Sequence, residues 1–437
     1  MASGTGKTVK IHIGFLTILS AFHSYVVEIY KVPVNRAFSQ YLLRRILPKS
    51  LAAPVKTGKG GDLSVADKGT FPKQDTLGRY MLELAAVCGE FPAGLPARIP
   101  GSTSYKEAVV TSLKKKGLLR TVYKDKLRGF RLGRRAKDIL LAEQPERFSF
   151  YLTGNAETNR IRSEVTRRLR LHRTAETYVA MLNAGVAVFR DKKPPVFSPE
   201  GSPVPLLDTS AFYGSREVKE MGIEMVKIKS SRMVGVLLAP SGIFLTYNSG
   251  PYIAKWDYRA ELRAQALLKI VLCHQRLPAQ YASFNVSGLL FGDTLEHFYQ
   301  ILSEGDSKTR CFFLLDGNYE HFYYLTNNHY GEILLRLLCE PEKRTELDHM
   351  LMQGFSTKNP GLPIEHDALD QTGTPVLFGY LLDIPRISRF HTALQLQERT
   401  GILICFDFQK EVFHRFCGGQ VEFSTISFEK FERRFFP

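Results

Sequence analysis

The sequence predicts an α+β protein of several parts: an N-terminal winged helix-turn-helix, an Arg-rich helix, and a C-terminal α/β region. Three observations carry this. Residues 75–141 pattern as a helical trio followed by a short hairpin, and the cations are concentrated toward the front of the chain. From residue 208 onward, apolar runs of strand length alternate with amphipathic helical stretches. The 437 residues, 44% of them apolar, suffice for two or three domains with real cores.

Residues 1–73 read as a basic extension. Ile11 to Tyr30 is apolar and follows Lys7 and Lys10, but His12, His23 and Glu28 interrupt it, and no convincing small-residue cleavage site follows. Pro48 to Lys73 is rich in Gly, Lys and Pro and reads as linker. Translation starting later, or a loosely attached extension, would explain the segment. No stable membrane span is expected.

Residues 74–150 form the expected winged unit. Asp75 to Cys88 can bury Leu77, Met81, Leu84 and Ala85 along one helix, and Pro92 to Ile99 can hold a short second one. The third carries Val109, Val110 and Leu113 on its apolar stripe and Lys114, Lys115 and Lys116 in its last turn, where cations offset the helix dipole. Gly117 supplies the left-handed residue that stops it. Leu118–Tyr123 and Leu127–Leu132 then pair as strands around Lys124-Asp125-Lys126, and Arg134 to Leu141 is helical again. By analogy with helix-turn-helix docking, Ser102, Thr103, Ser104, Tyr105 and Lys106 open the helix that would enter a major groove. Lys124, Lys126 and Arg128 sit where a wing meets phosphates, with Arg120, Arg131, Arg134 and Arg135 extending the basic surface.

Residues 151–191 contain the Arg-rich helix, Asn159 to Ala184, with Arg160, Arg162, Arg167, Arg168, Arg170 and Arg173 on and around one side. Ile161, Val165, Leu169, Leu171, Tyr178, Met181 and Leu182 recur at helical spacing. This helix either buttresses the winged unit along a DNA backbone, Arg160, Arg167 and Arg168 reaching phosphates, or pairs two copies as a homodimer. Residues 192–207, dense in Pro, Gly and Ser, read as the linker. Residues 208–437 form the α/β region, as one domain or two with a break near 280–290. Its expected strands are Val226–Ile228, Met233–Leu238, Ile243–Tyr247, Cys311–Leu315, Phe322–Leu325, Val376–Leu382, Ile402–Phe408 and Val421–Ile426. Its expected helices are Tyr258–His274, Thr294–Ser303, Gly331–Leu338 and Ile387–Leu396.

Charge is unevenly spread. The chain carries a net +16, and residues 106–173 hold 19 Lys and Arg against 7 Asp and Glu. Residues 174–437 hold 27 against 30. A basic front on a near-neutral back is what counterion release at a polyanion favours. Double-stranded DNA is the leading partner, with an anionic membrane surface as competitor.

Catalytic and cofactor motifs are sparse. ASGTGKT at the start lacks the upstream glycine and strand of a Walker A loop, and no G-x-S-x-G elbow or H-x-H pair occurs. Six dispersed cysteines with no C-x-x-C support neither zinc nor redox chemistry, and reduced thiols in a cytoplasmic protein are the expectation. Asp208, Glu217 and Lys219 have the residue types of a PD-(D/E)xK nuclease, with Glu224 and Lys227 a looser version, although Arg216 to Glu220 reads as a solvated helix. Glu365, His366, Asp367 and Asp370 could bind a divalent ion but fit a turn with capping acids. No cofactor, metal or catalytic residue is assigned.

The order of a wing ending RGFRLGRRAKDIL, an Arg-rich helix, and an α/β region carrying SRMVGVLLAPSGIFLTYN resembles uncharacterised winged-helix proteins of plasmids and integrative elements of Gram-positive bacteria. In layout it is also distantly similar to replication-relaxation proteins. The resemblance covers residues 75–437 in outline, with matched residues confined to the winged piece. It implies DNA binding tied to replication, mobilisation or copy control of a mobile element. The acidic strand motif of the better-known members has no counterpart here. The expected protein is therefore a non-catalytic, sequence- or structure-directed DNA binder acting in replication, mobilisation or transcriptional control, whose C-terminal region binds a protein partner or senses a ligand. A metal-dependent nuclease and a winged-helix assembly subunit without a DNA role are the alternatives.

Overall fold

The computed structural model describes residues 71–154, 157–158, 164–199, 204–222, 231–251, 258–304 and 319–437. Thr76 opens the first helix, α1 (Leu77–Cys88), by accepting the Arg79 amide on its hydroxyl, and Gly89, at φ 81°, closes it. Strand β1 (Phe91–Pro92) follows. The expected second helix is only a 3-10 turn, Leu95–Arg98, between Gly94 and Ile99. Two prolines and a glycine within seven residues leave too few amides for more. Helix α2 (Thr103–Lys115) ends at Lys116, and Gly117 takes the left-handed conformation at φ 67°.

Strands β2 (Leu119–Lys124) and β3 (Leu127–Leu132) form an antiparallel ribbon, with β1 added beside β3. Asp125 and Lys126 make its two-residue turn at φ 49° and 62°, the left-handed pair that matches the twist of a tight hairpin. Helices α3 (Arg134–Glu143) and α4 (Pro145–Leu152) come next. The Arg-rich helix, α5, is described as Val165–Asn183, and residues 159–163 lie outside the described residues.

Two five-stranded mixed sheets make up the rest. The first has the order β4 (Ala211–Gly214), β5 (Gly235–Ala239), β6 (Gly242–Gly250), β7 (Val286–Gly292), β8 (Phe322–Thr326). Its first three strands run antiparallel and its last three parallel. The second has the order β13 (Val421–Ile426), β12 (Gly401–Phe406), β11 (Pro375–Phe378), β10 (Ala368–Leu369), β9 (Ser356–Thr357). The intervening helices include α6 (Ser215–Val218), α7 (Tyr258–Lys269), α8 (Pro278–Tyr281), α9 (Leu295–Glu304), α10 (His329–Cys339) and α11 (Pro341–Leu351). They are followed by α12 (Ile384–Leu396), α13 (Lys410–Cys417) and α14 (Phe428–Phe435). Helix α7 passes into a π-helical stretch, Ile270–Arg276, within the span expected as one regular helix.

Every residue of β5 and β6 is buried, which is why GVLLA and GIFLTYNSG lack a polar alternation: both faces of that sheet are covered. One face, with Phe212, Leu237, Phe244, Leu289 and Phe291, shares a continuous apolar core with α1, α5 and α10. The other, with Tyr213, Val236, Leu245, Tyr247 and Leu290, packs with residues of α7, α9 and α12. The front helical unit is thus not a bead on a tether.

Three expectations about the partition change accordingly. In the stretch read as a linker, Val196, Phe197 and Leu207 are buried in the second core, so their apolar side chains outweigh the surrounding prolines. The break placed near 280–290 falls on β7, which hydrogen-bonds to both β6 and β8. Helix α6 is not a solvated helix, since Glu217 and Val218 are buried. The strands expected at Val226–Ile228 and Cys311–Leu315 lie outside the described residues.

Candidate nucleic-acid interface

The ribbon is built with one end in the core and the other in water. Leu119, Phe130 and Leu132 are buried, whereas Arg120, Thr121, Tyr123, Lys124, Asp125, Lys126 and Arg128 are exposed. Lys114, Lys115 and Lys116 are exposed at the end of α2 immediately before β2, and Arg134 is exposed just after β3. None of these eight lysines and arginines (114, 115, 116, 120, 124, 126, 128 and 134) has a carboxylate partner among the described residues. Ser102, Thr103, Ser104 and Tyr105 are exposed at the opening of α2, and Arg135 is half-buried. Arg167 is exposed but already engaged by Glu164 at 2.7 Å. Arg160 lies outside the described residues.

Three residues expected to touch DNA do not reach the surface. Lys106 is buried and donates to the Ala97 carbonyl at 3.1 Å, which ties α2 to the preceding 3-10 turn. Arg131 and Arg168 are buried against Glu90, a carboxylate with no exposed surface. Arg131 Nε donates to Glu90 Oε2 at 2.7 Å, Arg168 Nη2 donates to Oε1 at 2.7 Å, and His172 Nε2 lies 2.8 Å from Oε1. Arg168 Nη2 also donates to the carbonyls of Val122, at 3.0 Å, and Leu127, at 3.1 Å, one on each strand of the ribbon.

Burial alone would raise the Glu90 carboxyl; hydrogen bonds from His172, Arg168 and Arg131 overcome it and hold the group at about 2. Gly129, beside this knot, has no room for a side chain: a Cβ there would lie 2.6 Å from His172 Nε2 and closer still to Glu90 Oε1. The missed residues are thus Glu90, Gly129 and His172. One signal was available, since Val165, Arg168, His172, Ala175 and Val179 follow the 3-4-3-4 spacing of a buried stripe.

The acidic candidates are spent elsewhere. Glu217 accepts from Lys193 Nζ at 3.0 Å and from the Gly214 amide at 2.9 Å, while Asp208 and Lys219 are exposed. Arg386 holds Glu365 at 3.0 Å and Asp367 at 2.7 Å. His366 Nε2 accepts the Asn359 amide, and Asp370 accepts the amides of Thr372 and Thr374 in a turn. Among the described residues no three His, Cys, Asp or Glu side chains cluster closely enough to hold a metal ion. Glu224 and Lys227 lie outside the described residues. Cys88, Cys273, Cys339, Cys405 and Cys417 are free and buried, and no described helix is long and apolar enough to cross a membrane. No family model matches this chain, and no curated protein or solved structure is significantly similar to it.

Proposed function

We propose that residues 71–152 are a winged helix-turn-helix unit and that the protein binds double-stranded DNA through it, as the mobile-element proteins that the sequence resembles would do. The observation that supports this most is the set of eight exposed cations without carboxylate partners on the end of α2, the ribbon and its exit. Leaving so much like charge unneutralised costs self-repulsion, which a polyanion relieves while releasing its own counterions. In this reading Ser102, Thr103, Ser104 and Tyr105 face base edges, and Lys124, Lys126 and Arg128 hold phosphates. Arg131, Arg168 and Lys106 act from beneath, by fixing the ribbon and α2 in place.

The test is binding of the full chain to a labelled duplex, measured across salt concentration. Each phosphate contact contributes a slope of roughly −0.9 in log K against log salt. Replacing Lys124, Lys126 and Arg128 together by Ala is expected to flatten the slope by about 2 to 3 and to weaken binding at every salt concentration. An unchanged slope would remove the ribbon from the interface, and absence of duplex binding would leave the protein-assembly role as the reading to pursue.

A further inference from the structure

Building on the DNA-binding reading, we infer that the ribbon also takes an unpaired base, stacked on Tyr123 beside Arg128, so that the preferred ligand is duplex DNA adjoining a single strand. Tyr123 is 67% exposed, the second most exposed large apolar side chain among the described residues after Leu396. It stands directly across the ribbon from Arg128. Moving inward on the same face, the next pairs are Thr121 with Phe130 and Leu119 with Leu132, whose Phe130, Leu119 and Leu132 are buried. The face that packs the core therefore continues past the core's edge and ends in a phenol ring and a guanidinium in water. The ring meets no other aromatic ring and its hydroxyl has no hydrogen-bond partner among the described residues.

A ring there contributes little to folding, since most of it stands in water. An intact duplex gives it little to do either, because base faces inside a helix are already stacked and only their edges and the phosphates are on offer. An unpaired base offers a π-face, and an aromatic ring with neighbouring cations is the arrangement that engages one. Lys124, the last residue of the outermost strand of the three-stranded sheet, and Lys126, in the turn that follows it, supply those cations. Tyr105, 55% exposed in the first turn of α2, provides a second free aromatic surface on the same unit.

The experiment compares the full chain on a duplex and on the same duplex carrying a single-stranded arm, with a fluorescent base analogue at the first unpaired position. The expected result is tighter binding of the armed probe with quenching of the analogue. Tyr123→Ala should abolish the quenching and lower affinity for the armed probe by roughly 5- to 100-fold while leaving duplex affinity unchanged, and Tyr123→Phe should behave as the parent protein. Equal binding of the two probes by the parent protein, or an unaltered preference in Tyr123→Ala, would overturn the inference while leaving duplex binding standing. If neither probe is bound, the DNA-binding reading falls and this inference with it.

Discussion

The ribbon and the two-sheet region hold the same kinds of cation but differ in how closely the unpaired ones are grouped. In the sheet region Arg386 bridges Glu365 and Asp367, Arg415 sits on Glu296 at 2.6 Å, and Arg336 meets Glu340 at 2.8 Å. On the ribbon and the end of α2, eight cations have no such partner among the described residues. Beneath the ribbon the pattern reverses within a single residue: Arg167 projects into solvent while Arg168 is fully buried on Glu90. Cation content alone therefore does not mark a binding surface. What distinguishes the ribbon is that those eight unpaired cations fall within residues 114–134, above two buried guanidinium groups that share the one carboxylate of Glu90.

The largest effect should come from breaking the buried group on Glu90. Glu90→Ala strands two buried guanidinium groups and is expected to cost about 3–5 kcal/mol in urea unfolding, since an unpaired buried charge is far more costly than an exposed one. Its pH counterpart follows from the depressed carboxyl. The stability contributed by Glu90 is complete above its ordinary value of 4.5 and is lost as the pH falls toward about 2, so thermal unfolding of the parent protein should show a loss across that window that Glu90→Gln lacks.

Gly129→Ala comes next, at about 1–3 kcal/mol, because the added methyl pushes into Glu90 and His172 in a packed interior. Glu176 offers an effect of opposite sign. Burial first, then repulsion from Asp293, raises its carboxyl from 4.5 to about 7, so its charge detracts from stability progressively between pH 4.5 and about 7 and in full above that. Glu176→Gln should therefore stabilise by on the order of 1 kcal/mol at pH 8 and much less at pH 5, read by unfolding at the two pH values. The smallest effect on folding belongs to the exposed cations of the ribbon. Combined replacement of Lys124, Lys126 and Arg128 by Ala should leave unfolding within about 0.5 kcal/mol of the parent, even where it weakens the DNA binding we propose. A large loss of stability there would erase the contrast between the two groups of cations.

Helices α1, α2 and α3 and the ribbon are legible in the sequence because their signals are local, whereas the second expected helix is a 3-10 turn and α4 is not anticipated. Gly117 ends α2, apolar residues at helical spacing define α1, and a short polar turn separates two apolar-basic runs. Orientation was not local. Leu169 was expected on the buried stripe of α5 and is 37% exposed, whereas Arg168 beside it is inside, because Glu90, 78 residues earlier, draws it there. Strand β7 is hidden in the sequence for a related reason. Its Gly288 reads as a strand breaker, yet it makes way for the Phe322 ring of the neighbouring strand, and such close approach appears only once the sheet is assembled. The two-faced burial of β5 and β6 likewise depends on which helices come to cover them.

Arg168 grips one carbonyl from each strand of the ribbon, and helix α5, on which it rides, packs along β6 and α10. The hairpin is consequently no loose flap. To swing, it would have to shed both carbonyl bonds and drag a guanidinium off a sealed carboxylate, so a load applied at Asp125-Lys126 is delivered into the body of the molecule instead of being absorbed at the turn.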